Sequence, residues 1–325
     1  MPDDCAGMPS VELTPMVRTL AKVNDGLVLT ADLVRTGCSR ADIERLLRAN
    51  ALRRVCRGTY LAVDPDAAPL TPEARYRTLV LAAIALRAPR GSTIVPAGPA
   101  SVVLHGLPLV GRAPAVVHVA APQSGGRKRS GLISPIGTHL RHEISRIGEI
   151  QAASPARAVL DTARVMTTVA GVAAADAALR LGLLSKDDLQ MALEGMQRHR
   201  GVLRAKKVNE LASELSESPG ESWSAVTIDA LGLPRPERQH SFHDAAGLIG
   251  RVDFWWPEQR VVGEFDGRIK YGRSNPSGRA PEDVLWDEKR REDRLRARGL
   301  TVVRWTAEEL AVPARLDARL RRLLT

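Results

Sequence analysis

The spacing of apolar residues changes character twice within the first 65 residues. Thr30 is a predicted cap for a short helix over residues 31–36, and Gly37-Cys38 turns the chain. Ser39, with Asp42 three residues on, has the form of a capping box opening a second helix. In that helix Ile43, Leu46 and Leu47 share one face, which leaves Arg40, Arg45 and Arg48 mainly on the other. Residues 52–61 then alternate like two strands around a basic tip that carries Arg53, Arg54 and Arg57. The prediction is a helix-turn-helix followed by a wing. Its second helix would read the major groove of double-stranded DNA, and its basic hairpin would meet phosphates or the minor groove. The alternative is a small helical interaction domain whose arginines are solvated.

From 70 to 215 the periodicity is less informative. It predicts an apolar helix over 76–86, β-like runs at 101–104 and 115–120, and a flexible basic loop over 123–131. Helices start at Ser154-Pro155 and at Ser185, where Asp188 completes a second capping box. His105, His118, His139 and His142 are scattered with no metal-site spacing. No P-loop, dinucleotide fingerprint or HExxH motif is present.

Past residue 216 the pattern sharpens. Ser218-Pro219-Gly220-Glu221 combines a capping Ser, a first-turn Pro and a third-position Glu. Trp223, Val226, Ala230 and Leu231 follow at helical spacing. Strands are predicted near 240–243, over 251–256 and over 261–266, with a turn at 257–260. A loop centred between Glu258 and Gln259 sets Trp256 opposite Val261, hence Asp253 opposite Glu264, with Asp266 on the same face as Glu264. Like charges directly opposite destabilise a hairpin, and buried unpaired charges cost several kcal/mol. Mg²⁺ would remove both costs, with Asp253 and Glu264 as its ligands. Glu221 reads equally as a cap residue or as a further ligand, and Asp266-Gly267 also reads as a turn. Lys270 could orient or deprotonate a water beside the ion. A basic helix over 283–298 carries Lys289, Arg290 and Arg291 as DNA contacts, alongside Arg294, Arg296 and Arg298. Gly299 ends it, and a strand over 300–305 and a helix from Thr306 complete an α-β-β-β-α-β order.

Composition divides the chain. All five Trp and all three Phe lie beyond residue 220 of the 325. This break suggests a winged helix over 1–68, a mixed middle domain over 69–215 and a third domain over 216–325, an α/β (α+β overall) protein. A formal net charge of +10 and a pI near 10.1 favour a polyanionic partner, unless the whole proteome is arginine-rich. No apolar run reaches the roughly 18 residues of a membrane span. Acids at the N-terminus argue against a signal peptide, and three scattered cysteines make no disulfide framework, so a cytoplasmic protein is expected.

Two family resemblances follow from these stretches. Residues 216–310 resemble the PD-(D/E)XK nuclease superfamily, in the branch similar to very-short-patch-repair endonucleases. The resemblance rests on Glu221-Ser222-Trp223, residues 251–257, Gly263-Glu264-Phe265-Asp266-Gly267, residues 288–295 and residues 298–305. It implies Mg²⁺-dependent DNA hydrolysis with Asp253 and Glu264 as metal ligands, Glu221 and Asp266 in support and Lys270 as base or electrostatic partner. The superfamily pattern has Lys two residues after the Glu, where this chain has Asp266. The first two hundred residues resemble the AbiEi-type antitoxin family, through the helix-turn-helix, Arg57-Gly58-Thr59-Tyr60 and residues 99–108. That resemblance implies a transcriptional autorepressor of a toxin-antitoxin operon, with a nucleotidyltransferase toxin as partner.

Overall fold

A computed structural model describes residues 13–64, 67–87, 94–121, 131–137, 143–267 and 281–324. The chain divides into two compact units, Met1–His105 with Arg112–Ala153, and Gly106–Gly111 with Ser154–Thr325.

The first unit opens with α1 (Pro15–Val23), β1 (Leu27–Leu29), α2 (Thr30–Arg35), α3 (Arg40–Arg48), β2 (Leu52–Cys56) and β3 (Thr59–Ala62). The three strands pair in the order β1-β3-β2, all antiparallel. This is the helix-turn-helix with wing that the periodicity predicts. Ser39 and Asp42 form the capping box at the start of α3. Ile43 and Leu46 bury into a core of Val17, Val28, Leu33, Leu52 and Tyr60. Thr30 is the first residue of α2 rather than its cap. β1 runs straight into that helix, and the Thr30 N–H donates to the carbonyl of Gly58 at the wing tip, 2.9 Å away.

The unit continues with α4 (Pro72–Ala85), α5 (Pro99–Leu104), β4 (Val117–Ala121), β5 (Ile133–Gly137), β6 (Ile144–Ile147) and β7 (Ile150–Ala153). β4 and β5 are parallel, and β6 and β7 form a hairpin. The β-like run expected at 101–104 is instead part of α5. All six of its residues are buried, and an apolar run buried on every side carries no period to separate strand from helix. Gly98, at φ +52°, and Pro99 are the local helix-start signals there. Residues 123–130 of the expected basic loop lie outside the described residues, as do His139 and His142.

The second unit contains α6 (Pro155–Val165), α7 (Thr168–Arg180), α8 (Lys186–Glu194), α9 (Val202–Leu211), α10 (Pro219–Ala230), β8 (Glu237–Asp244), β9 (Gly247–Trp256), β10 (Val261–Phe265), α11 (Pro281–Ala297), β11 (Thr301–Trp305), α12 (Ala307–Leu310) and α13 (Pro313–Leu324). The Ala-rich helix α7 packs on α10, and Ser222 Oγ of α10 donates to the buried Asp176 Oδ2 of α7 at 2.7 Å. The helices of 154–211 therefore belong with the C-terminal sheet, and the composition break near 216 does not coincide with the limit of a compact unit. Apart from Trp286, which is exposed, the Trp and Phe residues mark the sheet's own core.

That sheet has the order β11-β10-β9-β8, with β10 and β11 parallel and the other pairs antiparallel. One buried cluster joins Phe254, Trp256, Val261 and Trp305 to Ile228 of α10 and Leu316 and Leu320 of α13. A second joins Phe242, Trp255 and Val262 to Leu295 of α11. The secondary structure is α+β, as the sequence predicts. Among the described residues no helix is long and apolar enough to cross a membrane.

Gly263 shows how closely this core is packed. A Cβ added there would lie 2.5 Å from the Trp305 ring and 2.9 Å from that of Trp256. Gly263→Ala is expected to cost about 1–3 kcal/mol through overpacking. Urea denaturation checks this, and unchanged stability would mean that the indoles have room to shift.

Candidate nucleic-acid interface

α3 carries its arginines outward. Arg40, Arg45 and Arg48 are exposed, opposite buried Ile43 and Leu46. Arg40 Nε lies 3.1 Å from Glu44 Oε1, Arg45 pairs with Asp42, and Arg48 Nε donates to the Glu44 carbonyl. Hydrogen bonds from Ser39 hold the Asp42 carboxyl below its ordinary pKa, with Arg45 adding to the effect. Exposed pairs of this kind contribute at most about 1 kcal/mol, so a phosphate can displace them.

In the wing Arg53, Arg54 and Arg57 are all exposed. Gly58, at φ +87°, makes the tight turn beside Arg57. Arg54 sits 5.7 Å from the centroid of the Tyr60 ring, a cation-π contact that orients the guanidinium. Tyr60 thereby holds Arg54 at the wing, a contact that residue type alone does not announce. The available signal was the hairpin register, which sets Arg54 and Tyr60 directly opposite each other.

The carboxylates of the C-terminal sheet are arranged differently from the expected cluster. Trp256 does pair with Val261, but the ladder's last pair is Gly263 with Phe254. Asp253 then turns its carboxylate onto the backbone, Oδ2 accepting from Phe265 N–H at 2.8 Å. Glu264 is buried and held by two guanidiniums. Arg291 Nη2 donates to Oε1 at 2.6 Å, and Arg304 Nε donates to Oε2 at 3.0 Å. Arg304 also reaches Glu288 at 2.5 Å and Glu292 at 2.9 Å. Glu221 acts in the cap of α10, accepting from Glu217 N–H at 2.8 Å and Ser218 Oγ at 2.7 Å. Gln239, at φ +55°, links Glu221 to Asp253 through its amide, at 2.9 and 3.4 Å. Asp266 is half-buried, with its N–H donating to the Trp305 carbonyl. Lys270 lies outside the described residues.

These partners decide whether Mg²⁺ fits. A cation at Glu264 would have to displace two guanidiniums, and one at Asp253 or Glu221 would compete with backbone and side-chain donors. Among the described residues no group of three or more His, Cys, Asp or Glu side chains is placed to hold a metal ion. Among the described residues, this arrangement of carboxylates does not fit Mg²⁺. The buried charge at Glu264 is compensated by two arginines instead, which are themselves shared with Glu288 and Glu292.

The basic helix α11 separates into two sets of side chains. Arg291 is committed to Glu264 and to the Arg251 carbonyl, so this expected DNA contact turns inward. Arg294 grips Asp244 at 2.6 Å, Arg298 donates to the His243 carbonyl, and Arg296 pairs with Glu292. Lys289 and Arg290 are exposed, with Trp286 exposed on the preceding turn.

The Arg294 hydrogen bonds hold the Asp244 carboxyl at about 2, below its ordinary 3.8. A carboxyl depressed in the folded state contributes stability in full above the unfolded value near 3.9. That contribution is lost as pH falls through about 2. Arg294→Gln is expected to return Asp244 toward the ordinary carboxyl range and to move acid unfolding to higher pH. Carboxyl titration by NMR reads the first effect directly.

Residues 16–63 match the family model described as "Transcriptional regulator, AbiEi antitoxin". The matched segment is the winged helix itself, α1 to β3. Two similar sequences are the uncharacterized proteins Rv2248 and MT2308 of Mycobacterium tuberculosis. Each is 29% identical over 211 residues, covering 64% of this chain and 73% of the relative. A crystal structure of the RV2827C protein from Mycobacterium tuberculosis covers 70% of this chain and 87% of its own, at 17% identity and a TM-score of 0.38.

Proposed function

We propose that this protein is a DNA-binding transcriptional regulator of the antitoxin type. It would act on the operator of its own operon and antagonise a nucleotidyltransferase toxin encoded beside it. The observation that carries this reading is the pair of arginine sets, on α3 and on the wing, exposed on a winged helix that matches the regulator family. α3 in the major groove would supply base contacts from Arg40, Arg45 and Arg48. Arg53, Arg54 and Arg57 would take phosphates or the minor groove.

Fluorescence anisotropy with duplexes from upstream of the gene tests the regulator. Binding about 1,000-fold tighter than to scrambled duplex is expected at physiological salt. Equal affinity for both duplexes would remove the operator reading. Co-purification with the product of the adjacent gene tests the toxin partner.

A second reading, a DNA endonuclease, is favoured by one observation, the α-β-β-β-α-β order of 219–305 with its sheet order β11-β10-β9-β8. The guanidiniums on Glu264 weigh against it. Plasmid incubated with Mg²⁺, Mn²⁺ or EDTA separates the two. Metal-dependent nicking that is lost in Asp253→Ala and Glu264→Ala would establish the nuclease, and intact plasmid with DNA binding retained leaves the regulator.

A further inference from the structure

The second unit contains a cavity of ≈ 530 Å³ where the end of α9, one face of α10 and the start of β8 meet. Leu211, Ala225, Ile228 and Leu233 supply its apolar lining, and Lys186, Arg235 and Arg238 its cations. The volume falls within the roughly 300–1,000 Å³ of small-molecule sites, and an apolar lining with a few convergent polar groups is their usual composition.

The charges in the wall are not equally available. Glu210 and Asp229 also line the cavity, but Lys207 holds both, at 3.0 and 2.9 Å, and Arg235 Nη2 takes Glu210 at 2.9 Å. Arg238 donates to Ser216 Oγ and the Leu211 carbonyl and lies 3.8 Å from Asp176. Lys186 differs from these. Its Nζ donates to the Asn209 carbonyl at 2.9 Å, and no ion pair with a carboxylate is found for it among the described residues. Burial lowers its pKa, and Arg238 and Arg235 add to that, while Asp176 and Glu214 pull the other way. Lys186 is exposed at the mouth of the cavity, and an ammonium that rests on one neutral acceptor can take an anion placed on it.

We propose that this cavity is a binding site for a small amphipathic monoanion. Its carboxylate or sulfonate head would sit on Lys186 Nζ, with its apolar body against Leu211, Ala225, Ile228 and Leu233. Dianionic phosphates are disfavoured, because Glu210 and Asp229 stand in the same wall. The site is independent of the DNA-binding reading.

Anilinonaphthalene sulfonate is a suitable probe of this chemistry, titrated by fluorescence into the full chain, with neutral phenylnaphthylamine as its uncharged counterpart. Saturable one-site binding of the sulfonate is expected, and Lys186→Met should weaken it by about 10-fold or more, the worth of a charged hydrogen bond. Lys186→Arg should retain it, and Lys206→Met, an exposed change of equal charge, should leave it unaltered. Far-UV circular dichroism and melting establish that each variant folds. Should Lys186→Met not fold, the Lys186→Arg protein and the neutral probe carry the test. Binding of both probes with equal affinity, equal sulfonate binding by wild type and Lys186→Met, or no saturable binding at all would overturn the site.

Discussion

Alanine at Arg45, Arg48 and Arg57 together is expected to weaken binding to operator duplex by on the order of 100-fold or more at physiological salt. Arg45 and Arg48 are exposed on α3, and Arg57 is exposed at the wing tip. Each phosphate contact releases condensed counterions and contributes about 0.9 to the slope of log K against log salt, so three lost contacts flatten that slope by nearly 3. An arginine that reads a base edge adds about 1–3 kcal/mol of discrimination. Loss of affinity with an unchanged salt slope would therefore assign these residues to base readout, and loss with a flattened slope to phosphate. The pair between Arg45 and Asp42 does not withhold Arg45, because both side chains are solvent-accessible. Lys289→Ala with Arg290→Ala is the parallel measurement on α11. If that change flattens the slope and the triple change alters neither affinity nor slope, the winged helix is not the DNA-binding surface.

The largest effect on stability is expected from Asp161→Ala, at about 3–5 kcal/mol. Asp161 is 0% exposed, between Arg157 at 1% and Arg164 at 6%. Arg157 Nε donates to Oδ2 at 3.1 Å, and Arg164 Nη1 holds Oδ1. Both guanidiniums have second partners, Arg157 near His199 Nε2 and Arg164 on the Arg200 carbonyl, so neither swings out freely when the carboxylate is removed. Two guanidiniums would then remain in an alanine-rich interior without the Asp161 carboxylate between them. Asp161→Asn keeps one acceptor and should cost less. Urea denaturation of the three proteins ranks them, and a cost below about 1 kcal/mol for alanine would mean that water enters and solvates the arginines.

The parts of this protein that follow from sequence are those fixed by neighbours three or four residues apart. Ser39 with Asp42, Ser185 with Asp188 and Ser218 with Glu221 each start a helix where their spacing says they should. The Trp256–Val261 register likewise follows from the length of one turn. Residues 101–104 look like a strand in sequence but form a helix, because a fully buried run offers no alternation and no stripe to distinguish the two. The arginines of α11 looked alike in sequence, and only the sheet beneath them separates Arg291, Arg294 and Arg298 from Lys289 and Arg290.

The carboxylates mark the same division most clearly. The sequence by itself determined that Asp253 and Glu264 stand in apolar strands and that something must offset their charge. It also determined the winged helix and its outward arginines, because amphipathic spacing and caps are local. What offsets Glu264 was decided by tertiary structure alone. Its partners come from 27 and 40 residues further along, on α11 and β11, and no pattern within either segment reports that they meet. A buried charge has to be compensated, but local spacing does not say whether a metal ion or a guanidinium does it, because that depends on which distant side chains the packed sheet brings within hydrogen-bond reach.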